Sequence, residues 1–374
     1  MRSLFHADTP RRRSPWRWLL PAAALIGTLS ALSLGMAGDG NQRIYTNSDG
    51  SIITKPWTSV VAWNVQRLVR YFTTPASAHA NTTQWPLIHD EASTHAAQPG
   101  ELSVTWIGHA TALVRIGGLN VLTDPQFSER ASPVGWAGPK RRVAVPFGLG
   151  ELPHIDAVVI SHNHYDHLDE ATVQALNRQA GGPPLFLVPE GLVDWFHERG
   201  IEQVRSVPWW QQETLGPVAF HAVPAHHWSA RGLNDRNHSH WGGWVLTHGS
   251  QRVYFAGDTG YSKDFAAIGE RFGPVDLALL PVGAYEPRDF MRDQHVNPEE
   301  AVTIAREVRA KVAVGIHWGT FSMADEALDA PFTELPRARQ QAGLADDAFR
   351  LLAHGETLVL QPPTSAPASG TKTP

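Results

Sequence analysis

The chain has 374 residues, enough for one large domain of about 250 residues with extensions. Its formal net charge of −5 provides no basic footprint of the kind that binds nucleic acid, so no nucleic-acid partner is expected. The absence of cysteine excludes disulfides, thiolate metal ligands and a lipoprotein cysteine. Composition therefore agrees with a large enzyme domain attached to other segments.

An uncharged stretch rich in leucine and alanine, from Trp18 to Gly38, follows arginines at positions 11–13 and 17. It is long enough to cross a bilayer, which takes about 20 residues. Because basic flanks stay in the cytoplasm, residues 1–38 predict an inner-membrane anchor with the catalytic domain in the periplasm. A cleaved signal peptide is the alternative, since Gly35-Met36-Ala37 offers a small-residue cleavage site and a free periplasmic enzyme would result.

Residues 39–99 are predicted to form an extension that contains one amphipathic helix and a linker. Val61, Val65 and Val69 recur at helical spacing and predict a helix from about Thr58 to Phe72. Such a helix lies on a membrane surface or packs on the enzyme domain, and the second interpretation is favoured. The composition after this helix is typical of a linker, and that of residues 361–374 is typical of a disordered tail.

Short apolar runs alternate with helical patterns in the predicted catalytic domain, residues 100–360. Asn297 before Pro298 is a helix start, with asparagine as the cap and proline in the first turn. This alternation alone predicts an α/β or α+β domain. Strands are predicted near 102–107, 112–116, 119–123, 157–161, 185–188, 218–223, 243–247, 252–256, 277–280 and 312–316, and helices near 169–180, 190–199, 263–272 and 298–309.

The segment from His162 to His167 carries three imidazoles and one carboxylate within six residues, just after a β-branched apolar run. Strand alternation places His162 and His164 on one side of the chain, and Asp166 and His167 then turn toward a second ion. Neutral imidazole and carboxylate suit zinc, which keeps one coordination position open for water in catalytic sites. A solvated polar loop is the alternative, but four ligand-type side chains in this order favour a metal site.

Further ligands are expected from loops that follow later apolar runs, because strand ends can meet at one edge of a sheet. His227, Asp258 and His317 each follow such a run, and His226 is the alternative to His227. The predicted division assigns one ion to His162, His164 and His227, the other to Asp166, His167 and His317, and makes Asp258 the bridge.

Asp124 ends a predicted strand and is expected to accept the free N–H of a ligand histidine, which fixes the tautomer of that ring. A simple turn role before Pro125 is the alternative.

The histidine-any-histidine-any-aspartate-histidine string resembles the signature of the metallo-β-lactamase superfamily. Within it the chain most resembles the N-acyl-phosphatidylethanolamine-hydrolysing phospholipases D. The resemblance implies an αββα sandwich of two packed mixed β-sheets flanked by helices, and it favours His227, because the family ligand directly precedes a tryptophan. The matching segments lie between about 100 and 357 and include Trp106 to Thr111, Leu122 to Pro125, Gly138 to Arg141, Ser161 to Asp169, His227-Trp228, Phe255 to Tyr261, Gly283 to Pro287, Gln294 to Val296 and Ile316 to Phe321.

The resemblance implies a dizinc phosphodiesterase that acts on a membrane phospholipid such as N-acyl-phosphatidylethanolamine and yields phosphatidic acid and an N-acyl amine. Two zinc ions activate a water molecule as the nucleophile in such sites. The implied catalytic residues are Asp258 and His295, the latter as a proton donor to the leaving group. Tyr165 and His295 are the implied substrate-binding residues.

Other functions remain open on the same scaffold, because a fold and a metal site do not determine the substrate. A lactonase or a different phosphodiesterase is the main alternative. A metal-stabilised envelope binding module without turnover is a second, from a different class. An iron redox role also occurs in the superfamily, but the chain has no flavin-domain extension.

Overall fold

Two seven-stranded β-sheets form the centre of the fold in the computed structural model, which describes residues 43–73, 85–232 and 234–361. The strands are β1 (Leu102–Gly108), β2 (Thr111–Ile116), β3 (Leu119–Thr123), β4 (Ala157–Val159), β5 (Leu185–Val188), β6 (Val204–Ser206), β7 (Gln212–Leu215), β8 (Val218–Val223), β9 (Gly243–His248), β10 (Gln251–Phe255), β11 (Leu277–Pro281), β12 (Val312–Ile316), β13 (Phe349–Arg350) and β14 (Thr357–Gln361). The first sheet has the order β14-β1-β2-β3-β4-β5-β6, and the second has the order β13-β12-β11-β10-β9-β8-β7.

Helices flank these sheets. The predicted start of the helix after Asn297 is confirmed, because the side chain of Asn297 accepts from Glu300 N–H (2.9 Å) and the Glu300 carboxylate accepts from Asn297 N–H (3.1 Å). The helices are α1 (Trp57–Thr73), α2 (Glu91–Thr94), α3 (Glu170–Asn177), α4 (Val193–His197), α5 (Asp264–Phe272), α6 (Arg288–Met291), α7 (Pro298–Glu307) and α8 (Pro331–Gln341), with a 3₁₀ turn at Leu149–Glu151.

The main core lies between the two sheets. Val104 and Trp106 of β1 belong to one buried apolar cluster with Phe220 of β8. A second cluster covers the other face of the first sheet, where Val158 of β4 packs with Val173 of α3. Each sheet thus buries one face against the other sheet and one against helices, and the predicted αββα sandwich is confirmed.

Every strand predicted from the sequence is present. The structure adds four strands, β6, β7, β13 and β14, and three helices, α2, α6 and α8, none of which is predicted from the sequence.

The amphipathic helix predicted from about Thr58 to Phe72 is present as α1. Its Trp63 stacks on Phe290 (5.1 Å between ring centroids) and donates from Nε1 to the Asp325 carboxylate (3.0 Å). Val61 and Val65, by contrast, are 43% and 52% exposed. The contacts of Trp63 support the interpretation that this helix packs on the enzyme domain.

The predicted membrane-spanning anchor requires correction. In the ranges that the structure describes, no helix is long and apolar enough to cross a membrane. The longest, α1, has 17 residues, fewer than the roughly 20 that a span requires. The stretch from Trp18 to Gly38, on which the prediction was based, lies outside the described residues, and the inner-membrane assignment is not supported.

The segment before β1 is tied to the first sheet by a buried arginine. Arg115 of β2 donates to the carbonyl oxygens of His95 (2.9 Å) and Ser93 (3.0 Å), and to Thr105 Oγ1 (2.9 Å). These bonds fix residues that the sequence assigns to a linker. The domain boundary at residue 100 stays a prediction.

Candidate metal centre

The carboxyl ends of several strands meet at one edge of the two sheets. β3 and β4 are parallel, as are β10, β11 and β12. β8 runs in the same direction as β10, because both are antiparallel to β9. The loops after these strands bring the predicted site residues together as expected: Asp124 after β3, His162 to His167 after β4, His227 after β8, Asp258 after β10 and His317 after β12.

A close approach of the sheets at this edge depends on Gly257. Its φ is +63°, and a Cβ at this position would lie 2.5 Å from Ser161 Cβ. Only glycine therefore allows the loop that carries Asp258 to lie directly against the loop that begins at Ser161.

Three histidines form the first candidate ligand set. His164 Nδ1 lies 2.8 Å from His162 Nε2 and 3.4 Å from His227 Nε2. Ligands held 2.0–2.1 Å from a tetrahedral zinc are about 3.3 Å apart. The separation from His227 matches such an edge, and the separation from His162 is about 0.5 Å shorter.

The second set consists of two histidines and two carboxylates. Asp166 Oδ2 lies 3.2 Å from His167 Nε2 and 3.4 Å from His317 Nε2. Asp258 Oδ2 lies 3.1 Å from His167 Nε2, and Asp258 Oδ1 lies 3.2 Å from His317 Nε2. These separations also match tetrahedral edges.

Asp258 lies between the two sets. Besides its contacts in the second set, its Oδ2 is 4.0 Å from His162 Nε2 and 4.0 Å from His227 Nε2. A carboxylate in this position is suited to bridge two cations.

Unpaired polar atoms show that these residues fit a metal ion. Among the described residues, the buried atoms His167 Nε2, His317 Nε2 and Asp258 Oδ1 have no hydrogen-bond partner. Each buried polar atom left unpaired costs about 1–3 kcal/mol. Coordination of a cation satisfies such atoms, so the cluster is better explained as a ligand set than as a structural polar core.

The first set is electrostatically prepared for metal binding. Burial lowers the pKa of His164 and of His227 to about 3, and it lowers the pKa of His162 well below the usual value. The three imidazoles are therefore neutral, which is the form that coordinates a metal ion.

The second set favours positive charge. Burial acts to lower the pKa of His317, but the carboxylates of Asp258 and Asp166 outweigh it and raise that pKa to about 9. Burial likewise opposes ionisation of Asp258, but His167 and His317 outweigh it and hold the pKa of this carboxyl well below its usual value. A divalent cation supplies that positive charge in place of protons.

Asp124 orients ligands of both sets. Its Oδ2 accepts from His167 Nδ1 (2.6 Å) and from Ser161 Oγ (2.5 Å), and its Oδ1 accepts from Ser161 N–H (2.7 Å). Ser161 Oγ in turn lies 2.9 Å from His162 Nδ1. With protons on both Nδ1 atoms, the Nε2 atoms of His162 and His167 are free to coordinate.

The structure distinguishes His227 from its neighbour. His226 Nδ1 bonds to Asp293 O (2.8 Å), and its Nε2 bonds to Ser51 Oγ (3.3 Å). His227 Nδ1 instead bonds to Gln294 O (3.0 Å), so its Nε2 points into the cluster. The geometry thus favours His227 as the ligand.

His109 is a site residue that the sequence reasoning missed. It is buried, with Nε2 2.9 Å from Asp166 Oδ2 and its ring 4.1 Å from that of His317. His109 O also accepts from His317 N–H (2.8 Å). Its position inside the matching segment Trp106 to Thr111 was the available signal, but no ligand-type neighbour accompanies it in the sequence.

The two predicted substrate contacts lie in different places. His295 is beside the ligands, with Nδ1 3.9 Å from Asp258 Oδ2, and burial lowers its pKa to about 3. Tyr165 donates to Arg231 O (2.9 Å) and lies under the Arg231 guanidinium (4.1 Å). It lines a cavity of about 780 Å³ with Trp195 and Arg231.

A family model described as the Beta-lactamase superfamily domain matches residues 119–318, more than half of the chain. The chain belongs to the metallo-β-lactamase superfamily. Within this superfamily it is 42% identical over 233 residues to N-acyl-phosphatidylethanolamine-hydrolyzing phospholipase D 1 of Caenorhabditis elegans, an alignment that covers 59% of this chain and 65% of the relative. It is 38% identical over 253 residues to the mitochondrial N-acyl-phosphatidylethanolamine-hydrolyzing phospholipase D of Saccharomyces cerevisiae, covering 66% of this chain and 53% of the relative.

The metallo-β-lactamase fold is also seen in the solved structure of an isothiocyanate hydrolase from Delia radicum gut bacteria. The two chains are 23% identical with a TM-score of 0.56, and the match covers 70% of this chain and 100% of the other. This likeness shows the fold alone. The chain spans less than two thirds of the lengths of the two phospholipases it resembles.

Proposed function

We propose that the protein is a zinc-dependent phosphodiesterase of the phospholipase D type, which converts N-acyl-phosphatidylethanolamine-like lipids to phosphatidic acid and an N-acyl amine. The observation that carries the proposal is the buried cluster of five histidines and two aspartates, with ligand atoms spaced as in two tetrahedral sites that share Asp258. The substrate class comes from the two phospholipases to which the chain is similar.

Seven residues are the proposed metal ligands, and the distances between their ligand atoms support a division into two sets. Bound metal ions activate a water molecule and neutralise negative charge on the phosphoryl oxygens. Asp258 lies within 4.0 Å of ligand atoms in both sets and would be shared between them. One ion belongs to His162, His164 and His227 and the other to Asp166, His167 and His317.

The reaction forms a bond between water oxygen and phosphorus and breaks the bond between phosphorus and the N-acyl amine's alcohol oxygen. That leaving oxygen takes up the proton that the attacking water loses. Burial lowers the pKa of His295 to about 3, which favours a neutral imidazole that hydrogen-bonds the substrate. Proton donation to the leaving group, the role implied by the resemblance, is the alternative.

The cavity beside Tyr165 is the proposed place for part of the lipid next to the phosphate. Tyr165 and Trp195 give it aromatic surface, and Arg199 adds a cationic group over the Trp195 ring (3.9 Å). Such mixed walls suit the boundary between an anionic head group and an acyl chain.

The test uses the full chain loaded with zinc and mixed micelles of N-acyl-phosphatidylethanolamine, in water enriched in heavy oxygen. We expect phosphatidic acid that carries the heavy oxygen and an unlabelled N-acyl amine, both identified by mass spectrometry. His164→Ala should abolish the products, and His226→Ala, a matched neighbour outside the cluster, should not. Elemental analysis should show close to two zinc ions per chain.

A fully metal-loaded protein that hydrolyses no phosphodiester contradicts the proposal. Turnover of a lactone under the same conditions would then assign a lactonase. Failure to turn over either substrate would favour the binding module without catalysis.

A further inference from the structure

Residues 43–55 lie against the loop that carries His227, although they precede the family match at residues 119–318. We name residues 43–55 the strap. Asn47, at its centre, is buried. Asn47 Oδ1 accepts from the backbone N–H of His227 (3.0 Å) and from Trp241 Nε1 (3.0 Å). One side-chain oxygen thus holds both sides of the loop.

The amide orientation of Asn47 is consistent with this role. Its Nδ2 faces the backbone oxygen and hydroxyl of Ser51, each at 3.4 Å, and these accept a hydrogen bond. His227 N–H and Trp241 Nε1–H are both donors, so they require an acceptor at the other end of the amide.

The strap residue Tyr45 contacts the same loop through apolar packing and a backbone hydrogen bond. Tyr45, Ala225 and Trp241 form one buried apolar cluster, and Tyr45 N–H donates to Asn237 O (2.9 Å). Trp241 Nε1 also donates to Ala225 O (3.0 Å). The loop therefore packs on the strap through residues on both sides of His227 in the chain.

The second half of the strap contacts Asp293, next to the residue that bonds the imidazole of His227. Lys55 Nζ pairs with the Asp293 carboxylate (2.9 Å), next to Gln294, whose carbonyl accepts from His227 Nδ1. Ser51 Oγ bonds to His226 Nε2 (3.3 Å). Backbone and ring of His227 thus each have a partner that the strap fixes.

We infer that the strap is a positioning element of the metal centre and that Asn47 is the positioning residue through which it orients His227. The inference rests on the proposed function, in which His227 is a ligand. His227 lies in a loop after β8, where no neighbouring strand fixes its backbone N–H. Productive ligand geometry needs placement within about 0.5 Å, and Asn47 supplies the fixed acceptor.

The test measures metal binding by the full chain, with Zn²⁺ in competition with a chromophoric chelator and with Co²⁺ absorption spectra as the report on coordination. We expect Asn47→Ala to weaken the affinity for one of the two ions about 10- to 100-fold. The Co²⁺ absorption spectrum should change for that site alone. Asn47→Asp keeps the accepting oxygen and should restore most of the affinity.

Ser48→Ala is the matched control. It removes a hydrogen bond of the same strap, from Ser48 Oγ to the Asp264 carboxylate (2.8 Å), which lies at the start of α5 rather than at the His227 loop. Both ions should bind to this variant with wild-type affinity.

His227→Ala separates failure of this inference from failure of the proposed function. If His227→Ala loses an ion and Asn47→Ala binds both with wild-type affinity and spectrum, the strap has no positioning role. If His227→Ala keeps both ions, the ligand assignment itself is wrong. Should Asn47→Ala fail to fold, Asn47→Ser takes its place, because its shorter side chain withdraws the accepting oxygen from His227 N–H. Wild-type affinity for both ions and an unchanged Co²⁺ spectrum in Asn47→Ser would overturn the inference.

Discussion

Replacement of Asp124 by asparagine should weaken the metal centre without changing any ligand. In the native structure Asp124 Oδ1 accepts from Ser161 N–H, and Oδ2 accepts from His167 Nδ1 and Ser161 Oγ. Asparagine keeps one accepting oxygen and adds a donor. If the oxygen stays at Ser161 N–H, the new NH₂ faces His167 Nδ1, which must then accept. The proton moves to His167 Nε2, the atom that faces Asp258 and Asp166.

The magnitude follows from the cost of either amide orientation. With the amide reversed, the NH₂ faces the buried Ser161 N–H and leaves it unpaired, at about 1–3 kcal/mol. In the orientation whose NH₂ donates to His167 Nδ1, His167 can bind a metal through Nε2 only if it breaks that new hydrogen bond and returns its proton to Nδ1. Loss of such supporting carboxylates typically weakens a metal site about 10- to 100-fold, or about 1.4–2.7 kcal/mol.

The assay is competition for Zn²⁺ with a chelator, followed separately for the two ions. We expect the larger loss of affinity for the ion assigned to Asp166, His167 and His317. The loss of affinity for the ion of the first set should be smaller, because Asp124 contacts His162 only through Ser161. Asp156→Asn is the matched control, because Asp156 also accepts a backbone N–H, from Asn120 (2.7 Å), but at the opposite end of β4. Wild-type affinity for both ions in Asp124→Asn, or an equal loss in the control, would refute the tautomer argument.

Three further results are expected. Asp258→Ala should reduce activity and zinc content more than loss of any one terminal histidine, because its carboxylate contacts both ligand sets; retention of both ions with normal turnover contradicts the bridge. His227→Ala should lose an ion in equilibrium dialysis and His226→Ala should not, and the reverse pattern would show the alignment to be off by one residue. Arg115→Met should lower the free energy of urea unfolding by about 1–3 kcal/mol, because it leaves buried carbonyl oxygens unpaired, against less than about 1 kcal/mol for the exposed Arg205→Met. Similar losses in the two variants would mean that the buried bonds of Arg115 contribute little.

The elements that the sequence predicted well are those that are buried. Apolar runs such as β11 and β12 have an unambiguous signal because nearly every side chain faces the core or a helix. The missed β6 and β7 are short and partly exposed, so their residues do not show a continuous apolar pattern. The missed helix α8 contains Pro336, and proline inside a pattern argues against a helix.

The proposed ligands have local signals in the sequence for a different reason. Four of them lie within six residues, and each of the others follows an apolar run, so their spacing and the strand ends indicate one site. His109 and Asn47 have no such local signal, because each is a single polar residue among unrelated neighbours. Their partners are 57 and 180 residues away along the chain, at Asp166 and His227. A ligand's identity is thus encoded locally, whereas its orientation depends on contacts that only the fold creates. The residues whose roles are hardest to predict from sequence are therefore those that orient the proposed ligands.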